Sequence, residues 1–204
     1  MLASSTIIQE IKALQKSGLA SLAFHYHDFR EKQKKELRGL LSSVLFQLCV
    51  QSDFYYIIIA KLFSTHHHGF QYPSNDELVL CLKELLDLPG QAPAYLIIDA
   101  MEECPDTFAV PSPREEVLTL VEQLIKSRLI NLRLCVTSRL EADIKTVLEP
   151  LTFRSISIHN ERGQLEDIEN YIRSVVTSDP KNRGWKEKDK QLVIKVLTER
   201  ANGM

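Results

Sequence analysis

The sequence is poor in glycine, and no glycine is followed by a lysine. Its seven glycines are Gly18, Gly39, Gly69, Gly90, Gly163, Gly184 and Gly203. A phosphate-binding loop of the form Gly-x-x-x-x-Gly-Lys-Ser/Thr is therefore absent from these 204 residues. The chain by itself has no glycine-rich cradle for a nucleotide.

Four further absences narrow the class of protein. Lys+Arg (25) and Asp+Glu (27) nearly cancel, so the broad positive field of nucleic-acid-binding proteins is missing. No apolar run approaches the roughly 18 residues that span a membrane, and the N-terminus lacks the basic segment of a secretory signal. The four cysteines form no Cys-x-x-Cys pair, which favours reduced thiols. We predict a cytoplasmic protein that binds neither nucleic acid nor membrane.

Short apolar runs alternate with helical patterns along most of the chain. Strands are predicted at residues 19–26, 95–98 and 132–136, with a last, alternating strand at 153–158. Apolar strands with helical crossovers indicate an α/β fold, a three-layer parallel sheet with helices on both faces. The pattern becomes all-helical near residue 160, so we expect a core at residues 1–160 and a helical unit at 161–204.

Polar residues follow two of the predicted strands. Asp99 ends the strand at 95–98, with Glu102 and Glu103 just beyond it, and Ser138 and Arg139 follow the strand at 132–136. Ligands of open parallel sheets bind at the carboxyl ends of the strands. Asp99 is suited to Mg²⁺, a glutamate to orienting water, and Arg139 to phosphate charge. From the residues alone, an acidic residue that merely ends a strand is an equally good reading.

The segment Leu-Ile-Ile-Asp-Ala-Met-Glu-Glu-Cys at residues 96–104 closely resembles the Walker B segment of fungal NACHT domains, which are STAND-class signalling ATPases. Residues 21–30 resemble the second strand of that family, and residues 132–139 resemble its sensor strand. Residues 167–172 and 201–204 look like the start of its helical lid. The closest subgroup is the nephrocystin-like N-terminal NTPase module. The resemblance implies a P-loop NTPase core that uses ATP and Mg²⁺.

The resemblance also implies roles for single residues. Asp99 is similar to the magnesium aspartate, and Glu103 matches the acidic position that orients water. Glu102 stands where the family usually has an aspartate, which keeps the charge on a longer side chain. Arg139 resembles the sensor arginine that reads the γ-phosphate, and Ser138 beside it is assigned to cofactor binding.

The family's P-loop lysine and serine directly precede a sequence like residues 1–8 of this chain. We therefore expect the chain to begin just after that motif, with Ser4, Ser5 and Thr6 in the first turns of the following helix. Without the P-loop strand, its two neighbours would keep unpaired edges or pair with each other. We expect weak ATP binding at best and no hydrolysis by the chain alone.

Three interpretations stay open. The first is part of a STAND-type switch that works through self-association or with other signalling proteins. The second is a non-enzymatic, degenerate NTPase fold that serves as a protein-interaction scaffold. The third is a fragment whose P-loop is encoded upstream.

Overall fold

The computed structural model describes residues 2–28, 30–31, 36–156 and 164–201. Its helices are α1 (Leu2–Lys16), α2 (Leu37–Cys49), α3 (Asp53–Thr65), α4 (Asn75–Leu86), α5 (Pro113–Lys126), α6 (Ala142–Leu148), α7 (Gln164–Ser178) and α8 (Glu187–Ala201). Its strands are β1 (Ser21–Tyr26), β2 (Ala94–Asp99) and β3 (Leu132–Val136). Within these ranges, no helix has both the length and the apolar character needed to cross a bilayer.

The three strands form one parallel sheet in the order β1-β2-β3. This open sheet with flanking helices confirms the predicted α/β fold. Of the two arrangements expected in the absence of a P-loop strand, the structure has the second. Strand β2, which ends at Asp99, pairs directly with β3, with Ile98 opposite Val136.

The sheet separates two apolar clusters, because alternate residues of a strand point to opposite faces. Leu22 and Ile97 join Ile8 and Ile11 of α1 in the smaller cluster. The larger cluster includes strand residues on the opposite face and the buried sides of α2, α4 and α5. The predicted three-layer arrangement therefore follows from strands that are apolar on both faces.

Local sequence signals explain where several elements begin and end. Ser74 and Glu77 form a capping box at the start of α4, and Ser112 and Glu115 form another at α5. Gly18 follows α1 with a φ of +69°, a left-handed conformation that favours glycine. Ser4 lies within α1, as expected, and is buried.

The strand predicted at 153–158 is wrong for its described part. Residues 153–156 have no regular secondary structure, and 157 and 158 lie outside the described residues. Phe153 and Ile156 are both exposed. An alternating pattern stabilises a strand only when one of its faces is buried, and residues 153–156 are all exposed.

The chain divides into two compact units, Met1–Thr152 and Phe153–Met204. The first holds the sheet and helices α1 to α6. In the second, α7 and α8 pack against each other, and Val176 and Ile194 are buried. The boundary predicted at residue 160 lies outside the described residues.

Candidate metal and phosphate site

The carboxyl ends of the strands bring the predicted site residues to one rim of the sheet. Asp99 is the last residue of the central strand β2, opposite Tyr26 of β1. The N–H of His27 donates to the backbone oxygen of Asp99 at 3.1 Å, and the N–H of Thr137 donates to that of Ile98 at 2.9 Å. Asp99 therefore lies between the ends of both neighbouring strands.

The two carboxylate oxygens of Asp99 have different surroundings. The hydroxyl of Thr137 donates a 2.5 Å hydrogen bond to Oδ1 and accepts one from the N–H of Ala100 at 3.2 Å. Asp99 is only 3% exposed, and none of the described residues gives its buried Oδ2 a hydrogen bond. Thr137 therefore orients the carboxylate and leaves one oxygen for another ligand.

Thr137 is a site residue that sequence reasoning missed. The sequence assigns roles to Ser138 and Arg139 but none to Thr137, which directly precedes them. The available signal was the position of Thr137 directly after β3, level with Asp99 across a parallel pair. Ser138, one residue further on, is exposed on the same loop.

A tight turn follows Asp99 and directs the chain across the end of β3. Ala100 has φ 56° and ψ 50°, a left-handed conformation uncommon for residues other than glycine. The N–H of Met101 then donates to the backbone oxygen of Thr137 at 3.0 Å. A short 3-10 turn, Met101–Glu103, carries both predicted glutamates next to the rim.

Glu102 and Arg139 are in direct contact, a pairing that sequence reasoning did not anticipate. Glu102 Oε2 accepts the backbone N–H of Arg139 at 3.1 Å, and its Oε1 lies 3.4 Å from Arg139 Nε. The Glu102 side chain is 15% exposed and that of Arg139 is 82% exposed. The carboxylate of Glu102 is therefore the anion bound to Arg139 in this structure.

Arg114 of α5 anchors the turn that carries the glutamates. Its guanidinium donates to the backbone oxygens of Glu102 at 2.8 Å and Cys104 at 3.0 Å, and pairs with the Asp143 carboxylate at 3.1 Å. Burial raises the pKa of Asp143, but hydrogen bonds from Arg114 and nearby backbone outweigh it and lower the pKa overall. Sequence reasoning gave Arg114 no role, because it lies 12 residues beyond Glu102.

Glu103 lies on the same turn, half-buried, and its N–H donates to the backbone oxygen of Ala100 at 2.9 Å. Its charge also acts on Arg30 of the loop after β1. The hydrogen bond to Asp28 raises the pKa of Arg30 most, and Glu103 adds a smaller effect of the same sign. The charge of Glu103 thus acts on Arg30, whereas that of Glu102 pairs with Arg139.

The residues present fit a magnesium ion that takes one ligand from the protein and the others from phosphate and water. Mg²⁺ is commonly held by one or two carboxylates while phosphates and water supply the other ligands. Asp99 offers one such oxygen. The described residues contain no group of three or more His, Cys, Asp or Glu placed to hold a metal ion alone.

The model of the family "Nephrocystin 3, N-terminal" matches residues 1–139, about two thirds of the chain. The chain belongs to the nephrocystin 3 N-terminal family. The family region contains β1, β2 and β3 and ends at Arg139, so every predicted site residue lies inside it. No curated protein and no solved structure is significantly similar to the chain.

Proposed function

We propose that the rim around Asp99 is the metal- and phosphate-binding side of a nucleotide-controlled signalling switch of the STAND class, NACHT type. The observation that supports this is the buried Oδ2 of Asp99, which receives no hydrogen bond from the described residues. A buried carboxylate oxygen without a partner is costly, and a divalent cation would remove that cost.

Each residue has a distinct part in this proposal. Asp99 would hold Mg²⁺ with the oxygen that receives no hydrogen bond, and Thr137 keeps the carboxylate oriented. A Mg²⁺ ion held there would supply positive charge that offsets the charge of a phosphate. Glu103 orients water, and Arg139 meets the phosphate once Glu102 has released it.

This chain by itself is proposed to be inactive as an ATPase. Backbone N–H groups of a glycine-rich loop normally surround the β- and γ-phosphates, and the sequence has no such loop. ATP binding is therefore expected to be weak, and switching to depend on self-association or on other signalling proteins of the cytoplasm.

Calorimetric titration with Mg²⁺ and ATP tests the proposal. We expect a dissociation constant weaker than about 1 µM, because tighter binding needs more than about 8 kcal/mol. Asp99→Asn should abolish the dependence of ATP binding on Mg²⁺, while Asp106→Asn, a matched change at an exposed site on the same loop, should leave it intact. Equal behaviour of the two variants would overturn the assignment of Asp99, and turnover that Asp99→Asn abolishes would overturn the proposed inactivity.

A scaffold function is the second candidate, and an exposed apolar surface favours it. Val50, Phe54 and Tyr56 are 69%, 60% and 61% exposed and line one groove at the start of α3 together with Gln91. Exposed apolar patches of this kind often mark interaction sites. Sedimentation velocity with and without ATP separates the candidates. Association that is the same with and without ATP, and that is lost in Phe54→Asp, would support the scaffold function.

A further inference from the structure

Strand β1 lies at the edge of the sheet, and its backbone groups alternate between two directions. Ser21 donates its N–H to the Pro93 backbone oxygen beside β2 at 2.9 Å, in keeping with the register of the parallel pair. Because the direction alternates from one residue to the next, Leu22 and Phe24 point their N–H and C=O groups away from the sheet. Unpaired groups of this kind form a template for another strand.

Two glutamine side chains, Gln47 of α2 and Gln51 of the turn that follows it, form hydrogen bonds with these outward groups. Gln51 accepts the N–H of Leu22 at 2.9 Å and donates to its C=O at 2.6 Å. Gln47 accepts the N–H of Phe24 at 3.1 Å and donates to its C=O at 2.8 Å. Each amide thus makes the two hydrogen bonds that one residue of a neighbouring strand would make.

The spacing of the two glutamines matches the spacing of the strand. Residues i and i+4 of a helix are about 6.0 Å apart along the axis, and Val50, between the end of α2 and Gln51, keeps a right-handed helical conformation. Residues j and j+2 of a strand are about 6.6 Å apart. Gln47 and Gln51 therefore reach Phe24 and Leu22 when α2 runs antiparallel to β1, which is the observed pairing.

Further contacts along α2 and the turn after it hold the amides in this orientation. Gln47 Nε2 lies 3.0 Å from the Ser43 hydroxyl, and Gln51 Nε2 donates to the backbone oxygen of Gln47 at 2.5 Å. Both amides are partly buried. Side chains fixed in this way do not leave the edge freely.

We infer that Gln47 and Gln51 act as a substitute strand that prevents a second copy of this chain from adding to β1. The second copy is the partner that fits best, because it presents the same short, apolar strand, and identical segments pair readily in register. Strands β1 and β3 lie at opposite ends of the strand order, so association through β1 does not depend on nucleotide binding.

The test replaces both glutamines by methionine, which keeps the length and helix propensity but cannot pair with the backbone. We expect amide exchange at Leu22 and Phe24 to accelerate about tenfold in the dilute double variant, because each loses a hydrogen bond. Sedimentation velocity should show concentration-dependent association of this variant alone. At high concentration the same two amides should regain protection, which would locate the contact at β1.

Gln191→Met is the control, since Gln191 is an exposed glutamine on α8 whose amide donates to Glu187. It should behave as the unmodified chain does. A folded double variant that stays monomeric, or that associates without protecting Leu22 and Phe24, would overturn the inference. If both the double methionine and the double alanine variant fail to fold by circular dichroism, the glutamines serve folding, and their role against association is rejected.

Discussion

Glu102 binds Arg139 through both the backbone N–H and the guanidinium of the arginine. The cation expected to meet phosphate is therefore already paired with an internal anion. Because the arginine is largely exposed, the pair is weak enough to be exchanged. Glu102 then acts on phosphate binding as a competitor, in addition to any part it has in orienting water.

We predict that Glu102→Gln raises the affinity of the chain for ATP or pyrophosphate about twofold to fivefold, the range expected for release of an exposed ion pair. Calorimetry at low ionic strength measures the change. Glu141→Gln removes the same charge from an exposed position nearby and serves as the control. A drop in affinity in Glu102→Gln alone would mean that Glu102 assists the ligand.

Thr137→Val should destabilise the protein and weaken its interaction with Mg²⁺. The change keeps the shape of the side chain but removes the hydroxyl that donates to Asp99 Oδ1, so neither oxygen of this buried carboxylate would have a donor among the described residues. A loss of about 1 to 3 kcal/mol in the free energy of unfolding is expected. Urea denaturation measures it, and Thr137→Ser, which keeps the hydroxyl, should retain most of the stability.

Arg114→Met should loosen the turn that carries Glu102 and Glu103. Two backbone oxygens and one carboxylate lose their donor, and we expect a cost of about 2 to 3 kcal/mol in unfolding free energy. Arg114→Lys should recover only part of it, since an ammonium group cannot form the same fork of hydrogen bonds. Full recovery by lysine would show that charge alone anchors the turn.

The Arg114–Asp143 pair also predicts a dependence of stability on pH. The pKa of Asp143 is lower in the folded chain than its ordinary value near 3.9. Its contribution is therefore present above pH of about 3.9 and is lost as pH falls through the lowered folded-state pKa. Urea denaturation from pH 7 to pH 3 should show the unmodified chain losing its advantage over Asp143→Asn at the acid end.

The cysteines predict the opposite trend at alkaline pH. Burial raises the pKa of Cys81 to about 11 and that of Cys104 to about 12. The folded chain therefore keeps thiol protons that the unfolded chain releases above pH of about 8.5. Stability should fall as pH rises from about 8.5 toward 11, by at most about 1.4 kcal/mol per pH unit and thiol. Cys81→Ala/Cys104→Ala should flatten this slope, which guanidinium titrations at pH 7.5, 9 and 10 can measure.

The elements that could be predicted from sequence are those with a strong local pattern. The apolar runs ending at Tyr26, Asp99 and Val136 each form a strand, and strand ends alone were enough to place Asp99 and Arg139 on one rim. Thr137 and Arg114 escaped prediction because their roles depend on hydrogen bonds to residues 38 and 12 positions away. Gln47 and Gln51 resemble ordinary helical glutamines until the position of β1 is known.

The direct pairing of β2 with β3 fixes the distance between the two strand ends at the rim. Neighbouring strands are about 4.8 Å apart, so the acidic end of β2 and the basic loop after β3 are held at a distance set by backbone hydrogen bonds. The exposed side chain of Arg139 then adjusts that distance. A ligand that bridges Asp99 and Arg139 therefore spans the ends of two adjacent strands.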